Sequence, residues 1–142
     1  MKQFTKAIAI ILVLMLSVTI LAGCGGTKLE GKFSKVSEEY NGEKQLIADI
    51  ANEMKAMYEG LEQEIPEGAL DDYIEFLADG KCKVTSVYVG AEIYDGTFKI
   101  DGKNLEVSFE GETLKGTIDG KVITFTEEDE EYGNMIHIYE KK

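Results

Sequence analysis

Residues 95–120 read DGTFKIDGKNLEVSFEGETLKGTIDG, and this stretch decides the fold. An acidic residue followed by glycine recurs in it at short intervals, and strand-favouring residues lie between these pairs. Two-residue turns that end in glycine, between alternating segments, are the strongest short-range signal for β-hairpins. The stretch therefore predicts consecutive antiparallel strands, whose turns are Asp95-Gly96, Asp101-Gly102, Glu110-Gly111 and Asp119-Gly120.

The same pattern continues on both sides of this stretch. Further turn pairs are Asp79-Gly80 and Gly133-Asn134, and residues 29–36 have the composition of a first strand. Six or seven strands in sequence order predict an antiparallel meander. An open meander would leave unpaired edges, so we expect the first strand to pair with the last and close a barrel or half-barrel.

One amphipathic helix is expected after the first strand. Between about residues 43 and 62 the apolar side chains recur at three- and four-residue spacing, and Asn41 is a candidate for the N-cap. Pro66 ends the segment. Residues 69–79 fit either a short helix or a strand, and a strand from about Tyr73 is favoured.

The first 23 residues have the pattern of a signal peptide that is removed. Lys2 and Lys6 precede a 16-residue apolar run, which is shorter than the about 20 residues that span a bilayer. The run ends in Leu21-Ala22-Gly23-Cys24, which resembles the processing site of bacterial lipoproteins. That resemblance implies an acylated Cys24, with palmitate-type chains anchoring it at the outer face of the cell membrane. Residues 24–28 would be a short tether, and 29–142 the domain.

Charge and cysteine content exclude several classes of function. The net charge is −12, and it becomes −14 once Lys2 and Lys6 are removed, so nucleic acid is excluded as a partner. The chain contains no arginine, which removes bidentate recognition of phosphate or carboxylate. With Cys24 acylated, Cys82 has no disulfide partner, and a buried thiol is expected there.

Several segments together resemble the small lipocalin-like, calycin-type lipoprotein domains of Firmicutes. A processed cysteine is followed by Gly31-Lys32-Phe33 in the first strand and by a helical insertion. The resemblance continues through residues 73–81 and 95–105 and a final strand ending in Glu-Lys-Lys at 140–142. It implies the fold rather than an activity, and it brings no catalytic motif.

Three groups of residues could carry chemistry. Met135 and His137 share one face of the last strand, and with Cys82 they could form a copper site or, as a Cys–His pair, a nucleophile. Residues 127–131 are five consecutive acids that could bind calcium, although such a run usually stays solvated. No metal, cofactor or catalytic residue is predicted from these weak signals.

The sequence supports two hypotheses for the function, and a hydrolase is the third. The first is a non-catalytic binding module for a small, mostly apolar ligand in the barrel interior or mouth. The alternative is a cell-envelope interaction protein with a filled core, whose acidic surface binds a cationic protein or peptide. Large inward side chains would favour filling (Phe76, Tyr88, Phe98, Phe109, Phe125), and small ones a cavity (Cys82, Ser86, Gly116). The helical patch Met54-Met57-Tyr58 fits either core or a ligand pocket.

Overall fold

The computed structural model describes residues 28–131 and 133–142. The predicted signal peptide and Cys24 lie outside the described residues. Within the described part, no helix has the length and apolar character needed to cross a membrane.

The described residues form nine strands and one α-helix, and a 3₁₀ turn at Ala78–Gly80 joins the third strand to the fourth. The elements are β1 (Gly31–Tyr40), β2 (Glu43–Leu46), α1 (Ile47–Gly60), β3 (Tyr73–Phe76), β4 (Lys81–Thr85), β5 (Tyr94–Asp101), β6 (Asn104–Phe109), β7 (Glu112–Asp119), β8 (Val122–Asp129) and β9 (Gly133–Lys141).

Eight of these strands close into an antiparallel barrel. Neighbouring strands from β3 to β9 pair in sequence order, and β1 joins β3 on one side and β9 on the other. The predicted meander and its closure are confirmed, and the architecture is that of a lipocalin-like barrel. Closure leaves β2 as the only edge strand among the described residues, and it is only four residues long.

A β-bulge in β1 decides which side chains face the interior. Lys35 pairs with Tyr139 and Ser37 with Ile138, so Val36 is one residue extra in β1. Side chains alternate between the two faces of a strand, and one extra residue shifts this alternation. Phe33 and Lys35 face inward before the bulge, and Glu38 faces inward after it, opposite His137.

The segment between β1 and the helix differs from the expectation. Asn41 is not a helix cap: Asn41 and Gly42 have φ angles of 50° and 89°, which two-residue hairpin turns require, and they join β1 to β2. Residues 43–46 are therefore strand, and the helix spans 47–60 rather than about 43–62. This hairpin adds β2, a strand that was not expected, and nine strands form where six or seven were expected.

Four of the six predicted turn pairs are turns, among them Asp79-Gly80 in the 3₁₀ turn between β3 and β4, and two lie in strands. Glycine has a positive φ after Asp101, Glu110 and Asp119, between consecutive strands. Asp95-Gly96 instead lies inside β5. Glycine is needed at position 96 because a Cβ there would meet the backbone oxygen of Ser108 and the thiol of Cys82. Likewise, Gly133-Asn134 begins β9. The strand from Tyr73 is confirmed.

Large aromatic side chains fill much of the barrel interior. Phe76 lies edge-on to Phe33 and Phe98, with ring centroids 5.5 and 4.9 Å apart, and Phe125 lies edge-on to Tyr139 at 5.8 Å. Gly116, one of the small positions, opens no cavity, because a Cβ there would lie 2.7 Å from Cδ1 of Phe125. The small residue instead makes room for a large neighbour.

Replacement of Gly116 should therefore destabilise the barrel. In Gly116→Ala the added methyl group would overlap Phe125 and the backbone oxygen of Thr124, and we expect the free energy of unfolding to fall by about 1–3 kcal/mol. Urea unfolding of the full chain measures it. Gly60→Ala is the matched control, since a Cβ at Gly60 meets nothing within 4 Å. Equal unfolding midpoints for the two variants would contradict the packing described.

Candidate functional site

A buried polar network lies at the end of the barrel where β1 ends and β9 begins. Its centre is Glu38, with 1% of its surface exposed. The Lys35 ammonium lies 2.7 Å from Oε2 of Glu38, and the Tyr88 hydroxyl donates a hydrogen bond to Oε1. Both oxygens of this carboxylate are thus engaged, as a buried charge requires.

The charge of Glu38 is retained despite its burial. Burial raises the pKa of a carboxyl group, but the hydrogen bonds from Lys35 and Tyr88, with the charge of Lys35, outweigh it. The net result is a pKa below the ordinary value of 4.5. Glu38 is therefore ionised at neutral pH and pairs with a protonated Lys35.

His137 connects this network to β8. Its Nε2 lies 3.0 Å from Oε2 of Glu127, and its Nδ1 lies 3.8 Å from Oε2 of Glu38. Only 12% of the side chain is exposed, so burial lowers the pKa of His137, as does the charge of Lys35. The attraction of the two carboxylates works against this and does not reverse it. His137 is thus a largely neutral imidazole on β9 that is hydrogen-bonded to Glu127 of β8, while its buried Nδ1 has no hydrogen-bond partner among the described residues.

Asp72 is a second buried carboxyl group at this end. The Ser86 hydroxyl and the Val87 amide donate hydrogen bonds to its Oδ2, at 3.1 and 3.4 Å. Its Oδ1 has no hydrogen-bond partner among the described residues. Burial raises the pKa of Asp72, although Lys35, Ser86 and Val87 oppose the shift.

These contacts hold the loop between β4 and β5, residues 86–93. Ser86 and Val87 bind Asp72, Tyr88 binds Glu38, and the Thr85 hydroxyl donates to the backbone oxygen of Glu92 at 2.6 Å. Val87 is completely buried and packs on Ile47 and Ile50 of α1. The loop is therefore fixed from the barrel interior on one side and by the helix on the other.

The outer side of this loop and the helix carry most of the exposed large apolar side chains. Among the described residues seven such side chains are exposed, and all but Val122 lie in or beside α1 or in the loop. We call these six the apolar surface: Leu46, Met57, Leu61, Tyr88, Val89 and Ile93. Val87 packs on Ile47 and Ile50, which places the loop next to the start of α1, and exposed large apolar residues on neighbouring elements commonly mark a binding surface.

The helical patch expected from the sequence is divided between core and surface. Met54 packs against the cluster of Ile47, Ile50 and Val87, whereas Met57, one turn further on, is 54% exposed. The apolar face of α1 thus continues beyond the loop that covers its first two turns.

Acidic residues dominate the chain around the apolar surface. Residues 43–72 contain nine aspartates and glutamates and only two lysines, Lys44 and Lys55. Glu53, Glu59 and Glu62 on or just after the helix are exposed. This region therefore has a strongly negative potential.

The structure does not bring Cys82 and His137 together as a catalytic pair. Cys82 faces the interior from β4, next to Gly96, whereas the ring nitrogens of His137 face Glu127 and Glu38. Burial, with the charge of Asp95, raises the pKa of Cys82 to about 11, so the thiol is protonated at neutral pH. Cys82 is a buried free cysteine.

The acidic run at 127–131 lies only partly in a loop. Its first three residues belong to β8 and pair with β9, and Glu127 binds His137. The amide of Glu131 donates a hydrogen bond to Asp129. Among the described residues, no group of three or more His, Cys, Asp or Glu side chains is placed to hold a metal ion.

Sequence reasoning missed the residues that build the network. Glu38 and Lys35 are charged residues in a strand, and nothing in their pattern shows that a bulge turns Glu38 inward. Tyr88 was expected to fill the interior, but 55% of its surface is exposed, and its hydroxyl reaches inward to Glu38. A signal was available for the hairpin, since Asn-Gly is the preferred pair for such turns.

No family model, curated protein or solved structure matches this sequence.

Loss of the Glu38 charge should strongly destabilise the fold. Glu38→Gln leaves the buried Lys35 without its partner, and breaking such a pair costs about 3–5 kcal/mol. Glu106→Gln is the control, since Glu106 faces Lys115 at 3.8 Å on the exposed surface and should change stability by less than about 1 kcal/mol. Chemical denaturation measures both, and similar small effects would show that the Glu38 pair is not buried as described.

Proposed function

We propose that this protein is a membrane-anchored, non-catalytic interaction module that docks a cationic, amphipathic segment of a protein partner. The observation that carries the proposal is the concentration of six of seven exposed large apolar side chains on α1, its flanks and the β4–β5 loop. Aromatic and methionine side chains are enriched in protein interfaces, and Tyr88 and Met57 are the exposed examples here.

The charge of the region supports the cationic character of the partner. An apolar anchor of the partner would contact Met57, Leu61 or Val89, and flanking lysines or arginines would face the acids of residues 43–72. Complementary charge raises the association rate and excludes acidic partners. The same charge disfavours direct contact of this surface with anionic lipid.

A filled barrel core supports docking at the surface rather than cargo inside. Phe76 and Phe125 are buried and in ring contact with neighbours, while Phe98 and Phe109 pack against the same core. Gly116 is covered by Phe125. Phe125 thus occupies the space next to Gly116, and buried rings fill much of the interior.

A groove beside the helix supports a second candidate, the binding of a small, mostly apolar ligand. It has a volume of about 540 Å³ and lies between α1 and β1. Apolar walls come from Val36, Ile47, Ala51 and Leu70, and Lys32 lies at its border over the ring of Tyr73. Such a volume is within the range of small-molecule sites. Native mass spectrometry that shows a bound small molecule would favour this candidate over docking.

Anchoring through Cys24 is part of the proposal. The sequence between Cys24 and Leu29 is only Gly25-Gly26-Thr27-Lys28, which reaches at most about 14 Å. A domain held this close to the membrane would meet partners in the envelope rather than distant ones.

The docking proposal predicts that apolar side chains on α1 determine affinity. A lysine–leucine amphipathic peptide should bind the full chain, and Met57→Gln with Leu61→Gln should weaken binding at least about tenfold, because both anchors are lost. Isothermal titration calorimetry measures the Kd. Val122→Thr is the control, as Val122 is the exposed apolar residue outside the apolar surface.

Binding should also weaken as salt increases, since screening reduces the attraction between the peptide and the acidic region. An equally tight complex for a glutamate–leucine peptide, or for the double variant, would contradict the proposal.

Anchoring predicts that Cys24→Ser abolishes acylation and membrane association. Labelled palmitate should enter the wild-type chain in a bacterial host and should be absent from the variant, which moves to the soluble fraction. Cys82→Ser is the matched control and should remain labelled, since Cys82 is buried. Label that persists in Cys24→Ser would refute this anchor.

A further inference from the structure

The β4–β5 loop contributes half of the apolar surface, through Tyr88, Val89 and Ile93. A loop with few buried apolar contacts of its own has low local stability and can adopt several arrangements. Here groups inside the barrel bind the loop. One loop residue, Tyr88, contributes both to the apolar surface and to the buried network. The ring of Tyr88 is exposed, whereas its hydroxyl binds the buried Glu38.

We propose that Tyr88 and Glu38 form a latch through which the barrel interior regulates docking at the apolar surface. The inference rests on the proposed function, because it concerns the control of that same surface. With the latch closed the loop is in its binding arrangement, and with the latch open Tyr88, Val89 and Ile93 are no longer aligned with the helix.

The geometry makes the latch depend on the ion pair. One oxygen of Glu38 is bound by Lys35 and the other by Tyr88, so Lys35 orients the carboxylate that Tyr88 needs. Burial, with the hydrogen bond and charge of Glu38, raises the pKa of Tyr88. The hydroxyl therefore stays protonated and remains a donor at neutral pH.

A second contact restricts the same loop. Ser86 and Val87 bind Asp72, whose position is fixed because its backbone oxygen accepts a hydrogen bond from the amide of Lys35 at 2.9 Å. Lys35 thus connects both contacts, through its side chain to Glu38 and through its backbone to Asp72. The start of the loop is held at Ser86 and Val87 by Asp72, and its end is held at Glu92 by the Thr85 hydroxyl. Tyr88, between these points, is bound to Glu38.

Preorganisation gives this arrangement its effect on binding. A surface that is already ordered avoids the cost of ordering its side chains and loops on association. Because coupling between two sites is reciprocal, a partner on the ring of Tyr88 would also stabilise the buried Glu38 contact.

Tyr88→Phe tests the latch, because it removes the hydroxyl and keeps the ring. We expect the Kd for the lysine–leucine peptide to rise at least about tenfold, as for loss of a hydrogen bond to a charged group. Amide hydrogen exchange in residues 86–93 should accelerate, while exchange in the barrel strands should not. The control is Tyr94→Phe, since the Tyr94 hydroxyl binds the exposed Glu92 at 2.5 Å and should affect neither measurement by more than about twofold.

Unchanged affinity and unchanged loop exchange in Tyr88→Phe would overturn the latch. If the wild-type chain does not bind the peptide, the proposed function fails, and hydrogen exchange still decides whether Tyr88 holds the loop. If the peptide binds and only Tyr88→Phe is indistinguishable from wild type, the docking surface stands and the latch is wrong.

Discussion

The bulge at Val36 turns the carboxylate of Glu38 into the interior of the closed barrel. Without the extra residue, the alternation along β1 would turn Glu38 to the outside. With it, Glu38 faces inward beyond Lys35, and the two charges meet at 2.7 Å in the absence of solvent. A buried ion pair contributes less to stability than to the choice of one arrangement. Here it orients the Glu38 carboxylate, which accepts the hydrogen bond from Tyr88 in the loop at this end of the barrel.

The two ends of the barrel consequently have different properties. In the apolar part of the interior, aromatic rings pack edge to face and Gly116 makes room for one of them, so this part acts as a rigid scaffold. Above it, the interior contains Glu38, His137, Glu127 and Asp72, and the outside has the apolar surface. Such a division is typical of binding proteins, in which a stable sheet positions loops that carry the function.

Much of the fold was predictable from residues 95–120, because acidic–glycine turns and alternating strands are local signals. The closed meander, the turns at Asp101, Glu110 and Asp119 and the strand from Tyr73 are as predicted. Asp95-Gly96 was misassigned because a glycine can serve a turn or a close strand contact, and only the neighbouring strand distinguishes them. The network was not predictable, since a bulge is a property of two paired strands and Glu38 has no local sign of its burial. Acylation of Cys24, the family resemblance and the function remain predictions.

The ionisation of Glu38 tests the account most directly. Carbon-13 chemical shifts of the side-chain carboxyl group, followed by NMR during an acid titration of the full chain, give its pKa. We expect a value below the ordinary 4.5, because Lys35 and Tyr88 stabilise the ionised form more than burial disfavours it. A value above 4.5 would show that the carboxyl group is buried without these partners or is not held by them, and would contradict the account.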